Sequence, residues 1–419
     1  MTDSQTAGKE DLQIQEGDHD GSEAVILRSA VFLGLGTAAS VAGDQVATIG
    51  LVLSAAGRGG HGSGLLVSAS FLVQLVPSIV LGGLLGYRLD RLPARVLWTF
   101  GLACQGVVIA GAALVPGLWP KIVLLGLCYC IAVVTSAASF RELRAIFGAR
   151  TRVINGVVGS ATSVGGVAGS AIGGVGLSVL GLRGVFFADA ASFIVFAVGV
   201  ACVAKAVPPD AGSGADVVEA IRWRAQLGLL RDRRAFGSDQ LVVLVLGIAC
   251  VSFSGVAEVF YLRHTARLSL PLYGLVVAAW AAGSALSSIA VIWLRNVDAR
   301  AIMRVGAAGI GMSLAAVAFL RSPLAIALVF FGGGVANGCF NVSVRDAVHD
   351  GVPEHRLAGV WAFLGAVINA SILIGYVGGG LASRHAAVVL AASGLSTFGV
   401  AAIATIISVV SGSRAPSRQ

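Results

Sequence analysis

Twelve continuous apolar runs leave this chain only one solvent in which to fold. They begin near Val25, Leu65, Val96, Ile122, Val153, Val185, Gln240, Leu272, Ala301, Leu324, Leu357 and Ala386, and Gly, Pro or charged residues bound them. Each runs for about 18 to 28 residues, and a bilayer core of about 30 Å needs roughly 20 residues of helix. A closed barrel would show short alternating segments instead, so the expected fold class is an all-α membrane protein of twelve transmembrane helices. Of 419 residues, 56% are apolar and 12% charged, which leaves little length for a soluble domain.

The formal net charge of +8 could point to nucleic acid, but the charges cluster at the ends of apolar runs. If the first run starts inside the cell, 22 of the 29 Lys and Arg fall on the cytoplasmic side. The other seven, Arg58, Lys121, Arg183, Arg263, Arg267, Arg321 and Arg384, fall outside. This bias predicts both termini in the cytoplasm and no nucleic-acid partner. The six cysteines all lie inside apolar runs without metal-ligand spacing, so neither a metal nor a cofactor is expected. Residues 1–24 carry seven acidic side chains and no signal-peptide pattern, and read as a disordered cytosolic tail.

The long connection at 208–238 opens with Pro208 and Pro209 and divides the runs into six and six. Its second part places Val217, Val218, Ile221 and Leu229 near one helical face with arginines elsewhere, the pattern of a cytosolic amphipathic helix on an anionic leaflet. The expected organisation is thus an N-terminal bundle at 25–207, this linker, a C-terminal bundle at 239–410 and a cytosolic tail at 411–419. The halves also resemble each other. SFRELRAIFGARTRVING from Ser139 aligns without gaps to SVRDAVHDGVPEHRLAG from Ser343, matching Arg141, Glu142 and Arg152 to Arg345, Asp346 and Arg356. Parallel six-span repeats around a central cavity follow from that alignment.

GYRLDRLPAR, from Gly86 to Arg95, resembles the loop between spans two and three of the major facilitator superfamily, with Gly86, Asp90, Arg91 and Arg95 matching. Pro93 and Ala94 depart from the pattern. Such a charged cluster can hold one bundle against the other and release it on rocking. GGVAGSAIGG, from Gly165 to Gly174, resembles the superfamily's antiporter motif through Gly165, Gly169, Gly173 and Gly174, with Ser170 in the proline position. Small residues at four-residue spacing let helix backbones approach closely. With Gly43 to Gln45 and FFADAASFIVFAV, these stretches are similar to twelve-span drug and siderophore exporters, including macrolide and enterobactin efflux proteins. The resemblance implies the major facilitator fold, proton antiport and a bacterial inner-membrane location. The arginine that many antiporters carry near the start of span four is missing between Ile122 and Ser139.

Ionisable groups inside a span cost at least about 2.5 to 3.5 kcal/mol to insert, so each is a functional candidate. Asp44 follows Arg28 by 16 residues, about 24 Å of helix, and is the first candidate for proton coupling. Glu258, near the outer end of span seven, is the second. Asp189 stands five residues past Gly184 and reads as an interfacial structural residue. Gln45, Gln74, Gln105, Asn337, Asn341 and Asn369 are candidates to line the substrate cavity, or to bond one helix to another.

Together these readings predict a secondary transporter that exports a small hydrophobic or amphiphilic molecule, working as a monomer in the lipid bilayer with protons as coupling ion. Acids without bases in mid-span favour a neutral or cationic solute. An uptake permease of the same fold is the alternative, which the span-five glycines disfavour. A membrane enzyme would need a catalytic cluster at a membrane face. The nearest stretch, HDGVPEH from His349 to His355, recurs in the repeat as a charged loop without its histidines. A sensor would normally carry a larger soluble region.

Overall fold

A computed structural model describes residues 3–58, 62–89, 93–147, 151–206, 227, 237–290, 297–352 and 354–412. Its long helices are α1 (Asp3–Ala56), α2 (Ser63–Leu89), α3 (Ala94–Leu114), α4 (Leu118–Phe147), α5 (Thr151–Ala206) and α6 (Ser238–Phe260). They continue with α7 (Leu270–Ala290), α8 (Ala299–Val317), α9 (Pro323–Gly351), α10 (Glu354–Leu381) and α11 (Ala386–Gly412). Eleven helices among the described residues are long and apolar enough to cross a membrane.

The difference from twelve runs lies in α5. Its apolar stretch, Gly156–Val203, has 48 residues, about 72 Å if straight and more than twice a bilayer core. It does not run straight, because Gly181 sits at φ 64°, ψ 175°, which glycine adopts without a Cβ penalty. Before the turn, Gly165, Gly169 and Gly173 lie against Ala38, Ala42 and Ile49 in rising order, so this arm runs parallel to α1. After it, Val185, Asp189 and Phe196 lie against Gly50, Gly43 and Gly36 in falling order, so the second arm runs back. The expected fifth and sixth spans are these two arms, which gives twelve crossings and both chain ends on one face.

The helix of α1 begins at Asp3. Apart from Leu227 and residues 237–238, the linker lies outside the described residues, as does 413–419.

Each helix turns one stripe inward and another to lipid. On α3, Trp98, Leu102, Gln105, Ile109 and Ala112 are buried, while Phe100, Val107 and Leu114, at seven-residue spacing, are exposed. Large apolar side chains such as Val305, Met312, Leu328 and Ile403 are likewise exposed on the C-terminal bundle. An outer surface this apolar suits hydrocarbon and not water. Lys121, drawn to the outer rim by the charge count, is buried, donates to the carbonyls of Ala112 and Ala113 at the end of α3, and lies 5.5 Å from the Phe186 ring centre.

α1 to α5 form one bundle and α6 to α11 the other, and the main contacts between bundles are α5 with α7 and α2 with α10. These come close near the face opposite the chain ends. Gly174 leaves no room for a Cβ against the Leu270 carbonyl, and Gly274 faces the Ser170 carbonyl. In the second contact, Gly64 abuts Gly380 and Ser383, Ser68 Oγ donates to the Tyr376 carbonyl at 2.9 Å, and Phe71 stacks on Tyr376 at 4.9 Å.

Candidate transport site

A polar layer crosses the interior of the N-terminal bundle at the depth of Asp44. Asp44 is half-buried, and its Oδ1 is enclosed without a hydrogen-bond partner among the described residues. Asp189, on the second arm of α5, is 1% exposed, and neither carboxylate oxygen has a partner among them. Ser192 lies within reach of that carboxylate but donates its hydroxyl to the Asp189 main-chain carbonyl at 2.7 Å. The two acids interact electrostatically with each other, and both act on Cys128 and Tyr129 of α4. Gln105 of α3 is buried, points Nε2 at Cys128 Sγ (3.8 Å) and leaves Oε1 without a described partner. Gln74 of α2 donates to Thr48 Oγ1 at 3.3 Å and so joins α2 to α1 in the same layer.

Asp44 and Gln105 line a cavity of about 210 Å³ bordered by α1, α3, α4 and both arms of α5. Its walls include Thr37, Ser40, Thr135 and Ser136, together with Trp98 and Phe196, which meet edge to face at 6.2 Å. The interfacial role expected for Asp189 does not fit this position. The turn falls at Gly181 and not at Gly184, so Asp189 stands eight residues, about 12 Å, inside the bundle. The clue in the sequence was the first glycine of the LSVLGLRG stretch, which allows the turn to come earlier.

The other expected residues are dispersed. Glu258 is in the C-terminal bundle, within electrostatic reach of Tyr273 and Tyr376 and therefore beside the contact with α2. It does not join Asp44. Asn337 bonds Ser284 Oγ at 3.3 Å and thus ties α9 to α7, Gln45 and Asn369 are half-buried, and Asn341 is exposed. Gly165, Gly169 and Gly173 bring α5 onto α1, whereas Gly174 brings it onto α7 of the other bundle. One motif thereby serves an internal and a cross-bundle contact.

At the opposite membrane face, Glu142 is buried and lies in the positive field of Arg95 and Arg141. Arg95 of the span-two motif and Glu142 of the repeat segment therefore lie within electrostatic reach of each other. Arg345 and Asp346, their counterparts in the second repeat, are exposed. Asp90 and Arg91 lie outside the described residues, as do the side-chain surroundings of Gly86, Arg152 and Arg356.

Several solved structures with the same architecture are transporters. A point mutant of the nucleoside transporter NupG superposes with a TM-score of 0.71 at 12% identity, covering 90% of this chain and 99% of that one. A point mutant of a peptide transporter POT, in complex with alafosfalin, gives 0.71 at 11%, covering 90% and 94%. A bacterial homologue of the iron transporter ferroportin, in its inward-facing state, gives 0.64 at 17%, covering 90% and 99%. No curated protein sequence matches the chain. Residues 31–376 match the Major Facilitator Superfamily, most of the chain's length and both bundles, and with the twelve-crossing fold this means that the chain belongs to that superfamily of secondary transporters.

Proposed function

We propose that the protein exports a small hydrophobic or amphiphilic molecule, a drug, natural product or siderophore-like compound, by proton antiport with alternating access. The observation that carries this reading is Asp44, a half-buried carboxylate that faces a cavity with no cation among the described residues that line it. A carboxylate inside a membrane-spanning bundle with no countercharge beside it has less to favour its ionised form than one in water, so it can take a proton and surrender it when access changes. The aromatic and hydroxyl-bearing walls of the cavity suit an amphiphile. Export over uptake is supported by the resemblance of the glycine motif on α5, Gly165 to Gly174, to the superfamily's antiporter motif. The nucleoside, peptide and iron transporters of the same fold work on differing cargo, so the substrate class is inferred from the cavity. In this reading the transporter is a monomer in a bacterial inner membrane with both termini in the cytoplasm.

The test is an accumulation and growth-inhibition panel in an efflux-deficient bacterial host, with and without collapse of the proton gradient. Lower accumulation of at least one amphiphile, abolished when the gradient collapses, is expected. Gradient-dependent gain of accumulation would instead make the protein an uptake permease.

A further inference from the structure

The face opposite the chain ends carries one sign of charge. Its connections, residues 57–62, 115–117, 181–184, 261–269, 318–322 and 382–385, hold six arginines and three histidines but no Asp or Glu. Part of this charge gathers around a cavity of about 790 Å³, where Arg384, His264 and His385 form one side and no acid is among the described residues that line it. Ser63, Thr265 and Ser383 add hydroxyls. The other side is apolar: Leu65, Leu381 and Val388 line the same cavity, and all three are exposed at the protein surface.

The backbone takes unusual shapes to build this site. α6 runs into a wide turn, Tyr261–Thr265, in which the Ala266 amide donates to the Tyr261 carbonyl five residues back at 2.8 Å. Arg267 follows in the left-handed region at φ 55°, uncommon for a residue with a long side chain, and Arg263 donates to the Leu268 carbonyl across the bend. Wide turns and strained residues of this kind concentrate at functional sites. This one sets Thr265 and His264, whose ring stacks on Phe260 at 5.8 Å, against the cavity. Glu258, the nearest acid along α6, acts on Tyr273 and Tyr376 instead.

We propose that this cavity binds an anionic phospholipid from the leaflet on that side, its phosphate on Arg384, His264 and His385 and an acyl chain along Leu65, Leu381 and Val388. The guanidinium and imidazoles bring N–H donors to the phosphate oxygens, and the hydroxyls bond the rest of the head group. A volume within the roughly 300–1,000 Å³ of ligand pockets holds that head group and the start of a chain. Ser63 and Leu65 belong to α2, whereas the other lining residues belong to the C-terminal bundle, so the lipid touches both bundles beside the contact of Gly64 with Gly380. Its occupancy therefore favours the arrangement in which this face is closed. The inference depends on neither the cargo nor the coupling ion of the proposed export.

The test places a reporter in the cavity. Full-length protein carrying Ser383→Cys, in nanodiscs of phosphatidylcholine with or without phosphatidylglycerol, is labelled with an uncharged, membrane-impermeant maleimide. Phosphatidylglycerol is expected to slow labelling several-fold. Ser322→Cys, exposed on the same face but away from the cavity, should respond little, and adding Arg384→Gln to the Ser383→Cys protein should remove the protection. Millimolar inorganic phosphate in phosphatidylcholine nanodiscs should not protect. Equal slowing at the two reporters would reduce the effect to general surface charge and overturn the proposal, and this comparison decides the matter if the Arg384→Gln protein fails to fold. Protection by inorganic phosphate alone would make the cavity a site for free anions and not for lipid, and labelling indifferent to phosphatidylglycerol would remove the site.

Discussion

The carboxylate of Asp189 occupies the space beside Gly43, its Oδ1 2.5 Å from where a Cβ on that glycine would stand and Ser192 Oγ 2.9 Å from it. A methyl group at position 43 must displace the Asp189 carboxylate and the Ser192 hydroxyl from the space they fill. Gly43→Ala is therefore expected to lower stability by about 1–3 kcal/mol, through overpacking. Gly159→Ala, with open space around it, should be neutral. Thermal unfolding of the two variants in detergent checks this. Equal melting temperatures would mean that Asp189 has room to move.

The glycine motif makes a separable prediction. Gly174→Val inserts a side chain against the Leu270 carbonyl and should hold the two bundles apart at the distal face without unfolding either. Labelling of a Ser383→Cys reporter by a membrane-impermeant maleimide should rise several-fold, and transport should fall severely. Unchanged labelling would remove Gly174 from the gate.

Much of the fold was legible because a membrane-spanning helix must be long, continuous and apolar, which are properties of neighbouring residues. The place where α5 folds back was harder to see, since Gly181 and Gly184 look alike in sequence and only the packing of Val185 on Gly50 selects between them. Asp44 stood out by its distance from Arg28. Asp189 did not, because its depth depends on that same turn. The pairing of Gln105 with Cys128, 23 residues apart, is a tertiary relationship that no spacing rule reveals. Likewise, Glu258 and Asp44 occupy matching spans of the two repeats, but the packing around Tyr376 takes Glu258 to the contact between bundles.

On the face that bears the chain ends, Arg95 and Glu142 should act as a unit. Glu142→Gln and Arg95→Gln are each expected to reduce transport, and the double variant should lose less than the sum of the two. A coupling energy of about 0.5–3 kcal/mol is expected in a double-mutant cycle on unfolding. Strict additivity would show that the two side chains stand near each other without interacting.

Membrane orientation follows from the charge bias of 22 to seven. Reporter fusions at residue 220 and at the C-terminus should be cytoplasmic, and a fusion at residue 60 external. An external C-terminus is incompatible with this orientation.

The account rests most heavily on Asp44 as the group that carries the proton. In proteoliposomes with an imposed pH gradient, Asp44→Asn should still exchange solute down its own concentration gradient but fail to accumulate it against one. Accumulation by Asp44→Asn at the wild-type level, driven by the pH gradient, would contradict the assignment of coupling to this residue.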